Sequence, residues 1–148
     1  MTPEQRFFEY ALAFEQTYAD DDWSRLEPFF AEDATYEVRN TPIACTLEGR
    51  AAVLRGLKKS IDGFDRRCAS RHVEATAPPR TDGDTVVVDW AGRYGWPDAP
   101  DLEIRGRSVA TVRDGRIVAL ADEYPDGEAE KMAAWILAHA PGLDVSYD

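Results

Sequence analysis

The sequence contains few cysteines and histidines and no long apolar run, and each shortage argues against a class of protein. The two cysteines, Cys45 and Cys68, form no CxxC motif, and the two histidines do not cluster with them, so neither a disulfide framework nor a metal site is indicated. No stretch approaches the roughly 20 apolar residues that cross a bilayer, and residues 1–9 show no apolar segment with a cationic flank. We therefore expect a cytoplasmic protein.

Basic residues are also scarce relative to acidic ones. With 28 acidic and 17 basic side chains the formal net charge is -11, which repels a phosphate backbone or an anionic membrane at long range. We expect neither nucleic acid nor a membrane as a partner. The 148 residues, with 44% hydrophobic and 30% charged side chains, fit one globular domain over residues 1–148.

Helical periodicity predicts two helices at the start of the chain, one in the middle and one near the end. The first begins at Thr2, because Thr2 and Gln5 have the spacing of a capping box. The predicted helices run from Thr2 to about Tyr18, over a short segment with Trp23, Leu26, Phe29 and Phe30 inward, from Gly49 to Gly63, and from Glu128 to Ala140.

Alternation of apolar and polar residues predicts about six strands. They are Ala34–Val38, Ile43–Leu47, Arg66–Ala77, Thr85–Trp96, Leu102–Arg113 and Arg116–Tyr124. Asp-Gly pairs at 82–83 and 114–115 are typical of tight hairpins, so the later strands should form an antiparallel meander. The order of elements predicts an α+β fold with helices packed beside a mostly antiparallel sheet.

Strand parity places Asp122 on the buried face of the last predicted strand. Val118, Leu120, Asp122 and Tyr124 form its bulkier face, and alternate residues of a strand point to the same side of a sheet. A carboxylate on an apolar face is costly to ionise, so its pKa should rise toward the range where proton transfer is useful. Asp122 is therefore the candidate catalytic residue. The alternatives are a position at the wet rim of the sheet, neutralisation by an arginine, or a bulge that reverses the parity.

Two segments resemble a known superfamily. Asp22–Thr35 (DWSRLEPFFAEDAT) and Asp114–Asp122 (DGRIVALAD) are similar to the helix-to-strand junction and the final hairpin of the nuclear transport factor 2-like superfamily, also called the SnoaL-like or cystatin-like α+β cone. The resemblance covers nearly the whole chain. It implies a curved sheet with the N-terminal helices packed on its concave face, a cone-shaped pocket for a small-molecule substrate or ligand, and a C-terminal helix.

This sequence has only some of the catalytic residues that members of the superfamily use. Asp122 falls where SnoaL-like polyketide cyclases and limonene epoxide hydrolases place a catalytic aspartate. Ketosteroid isomerases need a tyrosine and an aspartate where this chain has Phe14 and Val38, which argues against isomerase chemistry of that type. The epoxide hydrolases also use an Arg-x-Asp motif, and the corresponding strand here offers Asp89 and Arg93 instead.

The resemblance also implies a histidine in the pocket, and several apolar and aromatic residues are candidates for the pocket lining. His72 occupies the strand where scytalone dehydratase-like members carry a pocket histidine, and it is the second candidate catalytic residue. The alternative for His72 is a structural or exposed histidine. The candidate pocket residues are Phe14, Tyr18, Tyr36, Trp90, Tyr94 and Leu120, for which the alternative is plain core packing.

These observations lead to two hypotheses about function. The first is a cofactor-independent cyclase, isomerase or dehydratase acting on a small apolar or aromatic carbonyl compound, with Asp122 as acid or base and His72 or a tyrosine hydroxyl assisting. The second is a ligand-binding or dimerisation module without chemistry. In either case the resemblance implies a homodimer formed through the outer face of the sheet.

Overall fold

The computed structural model describes residues 1–42 and 44–147, and it contains three α-helices, two 3₁₀ segments and seven strands over that part of the chain. In order these are α1 (Pro3–Asp20), a 3₁₀ helix (Trp23–Phe29), β1 (Phe30–Arg39), β2 (Cys45–Glu48), α2 (Arg50–Gly63), a 3₁₀ turn (Asp65–Arg67), β3 (Ser70–Ala75), β4 (Arg80–Asp82), β5 (Thr85–Gly95), β6 (Leu102–Arg113), β7 (Arg116–Glu123) and α3 (Glu128–His139). The predicted α+β class is confirmed.

The predicted capping box starts α1. The Thr2 hydroxyl accepts a hydrogen bond from the Gln5 amide at 3.1 Å, and the Gln5 side chain accepts one from the Thr2 amide at 2.9 Å. The helix ends at Asp21, whose φ of 62° is left-handed. Between these two ends, the buried face of the helix, which includes Tyr10, lies over the sheet.

The strands form one curved, open sheet in the order β2-β1-β7-β6-β5-β3, with β4 paired to β5. All pairs are antiparallel except β1 and β7, which are parallel, so the sheet is mostly antiparallel as predicted. The seventh strand, β4, lies where the sequence indicated only a turn. Ile43, at the start of the second predicted strand, lies outside the described residues. Helix α1 packs on β5 and β6, α3 packs on β6, and α2 packs on β1 and β2. All three cover the same face of the sheet, since residues from each line one cavity.

The parity predicted for β5 is confirmed, and that for β7 needs one correction. Val86, Val88 and Tyr94 are buried on the inner face of β5. In the β6–β7 ladder, Thr111 faces Ala119 but Val112 faces Ile117, so Val118 is an extra residue in a β-bulge. Ile117 therefore takes the core position that the alternation assigned to Val118.

The outer face of the sheet carries paired charges. Asp89 accepts hydrogen bonds from Arg80 and Arg107 at 2.8 Å each, and Glu103 pairs with Arg93 at 3.2 Å. Such exposed pairs contribute little to stability. The paired charges lie on the side of the sheet that faces water, and the apolar residues of the same strands therefore point to the opposite, inner side. None of the helices in the described ranges has the length and hydropathy of a membrane-spanning segment.

Candidate functional site

The helices and the inner face of the sheet enclose a cavity of about 640 Å³, a volume typical of small-molecule sites. Its walls are mostly apolar and aromatic. Five of the six residues that the sequence proposed for the pocket lie on these walls: Phe14, Tyr36, Trp90, Tyr94 and Leu120. Asp122 also lines the cavity. The fold therefore brings the predicted acid and most of the predicted lining together.

Asp122 is held by two hydroxyl groups from neighbouring strands. Its Oδ2 accepts a hydrogen bond from the Tyr36 hydroxyl of β1 at 2.6 Å, and its Oδ1 accepts one from Ser108 Oγ of β6 at 2.6 Å. Ser108 lies directly opposite Asp122 in the β6–β7 ladder, and Tyr36 is two residues before the β1 partner of Asp122, on the same face. Strand register alone therefore brings the three side chains together.

Burial raises the pKa of the Asp122 carboxyl above the usual aspartate value, because the apolar surroundings disfavour the charged form. The hydrogen bonds from Ser108 and Tyr36 favour the carboxylate and oppose this rise. Within residues 1–42 and 44–147, no arginine, lysine or histidine forms an ion pair with Asp122. The raised pKa agrees with the expectation from sequence. The groups that limit this rise are neutral hydroxyls rather than a guanidinium.

Trp90 and Gly106 orient Ser108. The Trp90 indole donates from Nε1 to Ser108 Oγ at 3.1 Å, so the Ser108 hydrogen is directed to Asp122. The indole lies over Gly106, its partner in the β5–β6 ladder, and a Cβ at that position would lie 2.3 Å from Trp90 Cζ2. Only glycine leaves room for this orientation of the indole. A hydrogen-bonded chain thus runs from Trp90 through Ser108 to Asp122.

Four phenols line the same cavity as the carboxyl group: Tyr10 from α1, Tyr36 from β1, Tyr124 after β7, and Tyr147 near the end of the chain. Burial raises the pKa of all four, and the nearby Asp122 charge adds to the rise; for Tyr147 the pKa reaches about 12. The phenols therefore stay protonated at neutral pH. Tyr36 donates to Asp122, and the other three can donate hydrogen bonds into the cavity.

A second polar group lies on another part of the cavity wall. Arg71, with only 7% of its side chain exposed, donates to Asp65 and to Glu15 at 2.6 Å each. Its guanidinium carbon lies 4.4 Å from the centre of the Tyr18 ring. Tyr18 is thus the exception among the proposed pocket residues: it covers Arg71 from outside and is not part of the cavity lining.

The structure does not bring His72 to Asp122. On β3 the odd-numbered residues Arg71 and Val73 point inward, so His72 points to the outer face, where 71% of its side chain is exposed and Glu74 Oε2 is 3.4 Å from its Nε2. The pocket position that the resemblance implied is therefore corrected, because the parity of this strand turns the ring toward solvent.

Sequence reasoning missed Ser108 and Tyr147. A signal existed for Ser108, because it is the polar residue on the even-numbered face of β6, which otherwise carries Leu102, Ile104, Gly106, Ala110 and Val112. No signal existed for Tyr147, because the segment after Pro141 has no periodicity. Over the described ranges, no group of three or more histidine, cysteine, aspartate or glutamate side chains has the arrangement of a metal site.

Comparison with known proteins places this architecture in a family. The family described as SnoaL-like domain matches residues 7–120. The chain belongs to this SnoaL-like family. The resemblance to the nuclear transport factor 2-like superfamily is thereby confirmed, since these domains are members of it. No curated protein matches the sequence of this SnoaL-like domain.

Solved structures of similar fold accompany the family match. TerC co-crystallised with polyporic acid has 16% identity and a TM-score of 0.65, over 89% of this chain and 98% of its own. A putative isomerase from Bacillus subtilis has 21% identity and a TM-score of 0.65, over 84% and 90%. A hypothetical protein from Catenulispora acidiphila with a ketosteroid isomerase-like fold, in complex with trimethylamine, has 21% identity and a TM-score of 0.61, over 98% and 97%. At these identities the likeness establishes the fold of this SnoaL-like domain.

Proposed function

We propose that this SnoaL-like domain is a cofactor-independent cyclase, isomerase or dehydratase that acts on a small apolar or aromatic carbonyl compound by acid/base proton transfer. The observation that carries the proposal is the position of Asp122, a carboxyl group on the wall of an apolar cavity with a raised pKa and two hydroxyl donors. A perturbed acid in a cavity of ligand size is a typical feature of active sites.

The chemistry follows from the hydrogen bonds. Each oxygen of the Asp122 carboxylate accepts one hydrogen bond, from Tyr36 or from Ser108. Each oxygen therefore keeps a second lone pair, with which it can accept a proton from a carbon next to a carbonyl group. The negative charge then moves to the carbonyl oxygen. A buried phenol such as Tyr124 or Tyr10 can donate to that oxygen, which is the largest source of rate enhancement in reactions through an enolate. His72 has no role in this mechanism, since its ring is on the outer face.

The comparisons support the same class of function. One similar structure is a putative isomerase, and another was co-crystallised with polyporic acid. Both are consistent with a ligand-binding cavity in this fold, and the reaction itself remains our proposal.

Deuterium exchange tests the proposal without knowledge of the natural substrate. A panel of aromatic and aliphatic ketones is incubated with the protein in D₂O, and exchange next to the carbonyl is followed by NMR. Asp122→Asn should reduce the rate by at least about 100-fold, the usual contribution of a general base. The matched control is Asp89→Asn, which makes the same change on the outer face. Unchanged exchange in Asp122→Asn would remove Asp122 from the mechanism.

A second candidate function is ligand binding without chemistry, and the aromatic surroundings of Asp122 favour a cationic amine as the ligand. A carboxylate among phenol and indole rings, with no basic partner in the described part of the chain, suits an ammonium group. The similar structure from Catenulispora acidiphila holds trimethylamine, which supports the idea.

Calorimetry distinguishes the two candidates. Choline and its uncharged isostere 3,3-dimethylbutan-1-ol differ mainly in charge. An amine site should bind choline at least about tenfold more tightly, because a desolvated cation–π contact contributes about 2 kcal/mol. Equal binding of the two compounds, or none, contradicts the amine site and leaves the carbonyl reaction as the candidate.

We also propose a homodimer through the outer sheet face and a cytoplasmic location. The dimer is inferred from the family resemblance, and the low cysteine content suits a reducing compartment. Multi-angle light scattering across a range of protein concentrations tests the dimer, and cell fractionation tests the location. A monomer at every concentration contradicts the first proposal.

A further inference from the structure

The large apolar side chains that stay exposed to solvent are concentrated on two helices. In the part of the chain that the structure describes, these residues are Met1, Phe8, Leu12 and Leu137. Leu12 is 68% exposed and Leu137 is 78% exposed. Single exposed apolar residues are ordinary on a protein surface, so their position relative to the cavity decides what they mean.

Three of these four residues line the cavity that contains Asp122. Phe8 and Leu12 lie four residues apart on one face of α1, and Leu137 lies on α3. Ala133, one turn before Leu137, is also exposed and also lines the cavity. Because exposed residues of a cavity wall lie at its opening, Phe8, Leu12, Ala133 and Leu137 form an apolar rim there.

The apolar surface continues from this apolar rim into the cavity. At the inner end, Leu120 is buried on the same face of β7 as Asp122. Between the two ends, the same helices contribute half-buried apolar residues to the wall, namely Ala11, Phe14, Met132 and Ile136. A ligand with one end at Asp122 can therefore remain in contact with apolar side chains until it leaves the cavity.

The charged groups of the cavity wall are acidic with one exception. The acidic lining residues are Glu15, Asp65, Glu74, Asp122 and Glu128. Among the described residues, Arg71 is the one basic side chain of the wall, and it is already paired with Asp65 and Glu15 at 2.6 Å each. An anionic head group would meet acidic side chains with no unpaired cation to offset them. The wall therefore disfavours carboxylates and phosphates.

We propose that the substrate is a neutral carbonyl compound with an apolar alkyl chain, whose carbonyl end lies at Asp122 and whose alkyl chain leaves the cavity over the apolar rim. The position of the carbonyl end rests on the proposed function, and the alkyl chain is inferred from the apolar rim. An alkyl chain in this position removes Leu12 and Leu137 from water, which is favourable in proportion to the apolar area that is buried.

Two other occupants of the apolar rim are less favoured by the charge of the protein. The net charge of -11 and the acidic cavity wall oppose contact with an anionic membrane surface. A second copy of the chain carries the same net charge. Both occupants are outcomes of the test below.

Binding of two methyl ketones tests the alkyl chain. Heptan-2-one and undecan-2-one share a head group and differ by four methylene groups, and calorimetry gives their dissociation constants. Each methylene group that leaves water contributes up to about fourfold in affinity, so undecan-2-one should bind at least about tenfold more tightly. Equal affinity for the two ketones, or binding of neither, overturns the proposal.

Decanoate tests the neutral head group. It has the same number of non-hydrogen atoms as undecan-2-one but carries a carboxylate. It should bind at least about tenfold more weakly than the ketone, because its charge meets the acidic wall. Equal or tighter binding of decanoate overturns the neutral class of substrate.

The double variant Leu12→Gln/Leu137→Gln connects the effect to the apolar rim. Glutamine forms helices about as well as leucine, and both positions are exposed, so the fold should be retained, which circular dichroism checks. The ratio of the two ketone dissociation constants should fall about three- to tenfold. The matched control is Ala138→Gln, at an exposed position of α3 outside the cavity lining, which should keep the wild-type ratio. A wild-type ratio in the double variant overturns the proposal.

Light scattering and vesicle sedimentation measure the two other occupants. A lower molecular mass of the double variant, or loss of its binding to vesicles of phosphatidylcholine and phosphatidylglycerol, with a wild-type ketone ratio, assigns the apolar rim to a second copy or to a membrane and overturns the proposal. The readouts are binding constants, so they are independent of turnover. Absence of deuterium exchange with a ketone ratio that depends on the apolar rim refutes the proton transfer and keeps the alkyl chain.

Discussion

At the scale of single residues, the character of Asp122 is set by neighbours that are far apart in sequence. Ser108 and Tyr36 lie on the two strands that flank β7, and both donate to the carboxyl at 2.6 Å. Trp90 completes the arrangement by donating to Ser108. The result is a buried acid whose two oxygens are both satisfied by neutral donors, so that it can ionise without a paired cation.

Ser108→Ala tests this arrangement. The Asp122 pKa should rise, because a donor to the carboxylate is lost, and the Trp90 indole loses its acceptor inside the protein. We expect the free energy of unfolding to fall by about 1–3 kcal/mol, the cost of an unsatisfied buried polar group. Urea unfolding and an NMR titration of carbon-13-labelled aspartate measure the two effects. An unchanged pKa would show that Tyr36 alone controls the carboxyl.

Gly106→Ala tests the contact between glycine and indole. The new methyl group would overlap Trp90 Cζ2 at 2.3 Å, so the indole must move away from Ser108, and overpacking of this kind costs about 1–3 kcal/mol. A double-mutant cycle with Trp90→Phe gives the control, because a smaller ring should recover part of the loss. Strict additivity of the two substitutions contradicts the proposed contact.

At the scale of secondary-structure elements, the site depends on a bulge and on a groove. The bulge at Val118 lets Ile117 enter the core while Leu120 and Asp122 keep the inward direction further along β7. The groove on α2, at Gly56, Ser60 and Gly63, receives the C-terminal segment, residues 141–147, which carries Tyr147. Both features change where side chains point without changing the order of the elements.

Gly63→Ala tests the groove. Alanine normally stabilises a helix relative to glycine by up to about 1 kcal/mol, but here its Cβ would lie 2.2 Å from the Asp144 carbonyl oxygen. The C-terminal segment must therefore move, and the Asp144 amide, which donates to Gly63, should exchange with solvent faster. Amide exchange by NMR measures this, with Arg55→Ala at an exposed position of α2 as the control. A stabilised protein with unchanged Asp144 exchange contradicts the groove.

At the scale of the whole molecule, the protein keeps most of its charges on the outside and surrounds Asp122 with neutral groups, while Arg71, Asp65 and Glu15 form a separate ion-paired group on the cavity wall. The outer face of the sheet is covered with ion pairs, and the inner face surrounds Asp122 with phenols and apolar side chains. As pH rises, titration of the ion-paired carboxyl groups on the outside should increase the free energy of unfolding, and titration of Asp122 inside should decrease it.

Comparison of wild type with Asp122→Asn isolates the contribution of Asp122 to the pH dependence of stability. The pKa of Asp122 is raised in the folded state, so the folded protein binds more protons than the unfolded chain above the ordinary aspartate pKa, and stability falls as pH rises through this window. Asp89 and Asp84 have lowered pKa values beside arginines, and their contribution is lost as pH falls. Urea unfolding from pH 3 to 8 should show wild type losing stability relative to Asp122→Asn as pH rises. A constant difference contradicts a raised pKa.

Local sequence patterns alone were enough to predict much of the fold and the position of Asp122. The helices, the strand order of the meander, the capping box and the inward direction of Asp122 all follow from periodicity, turn residues and parity, which are properties of neighbouring residues along the chain. The family was visible in two short segments for the same reason.

Only the tertiary structure decided which groups meet Asp122. Pairing of β1 with β7 brought Tyr36 to the carboxyl, the β6 register brought Ser108, and the fit of residues 141–147 on α2 placed Tyr147 against the Tyr36 ring. It also placed His72 outside and Tyr18 on Arg71. These results depend on contacts between residues far apart in sequence, such as Tyr36 and Asp122, which are separated by 86 positions. Local patterns carry no information about such contacts, because register and packing are set by the whole fold.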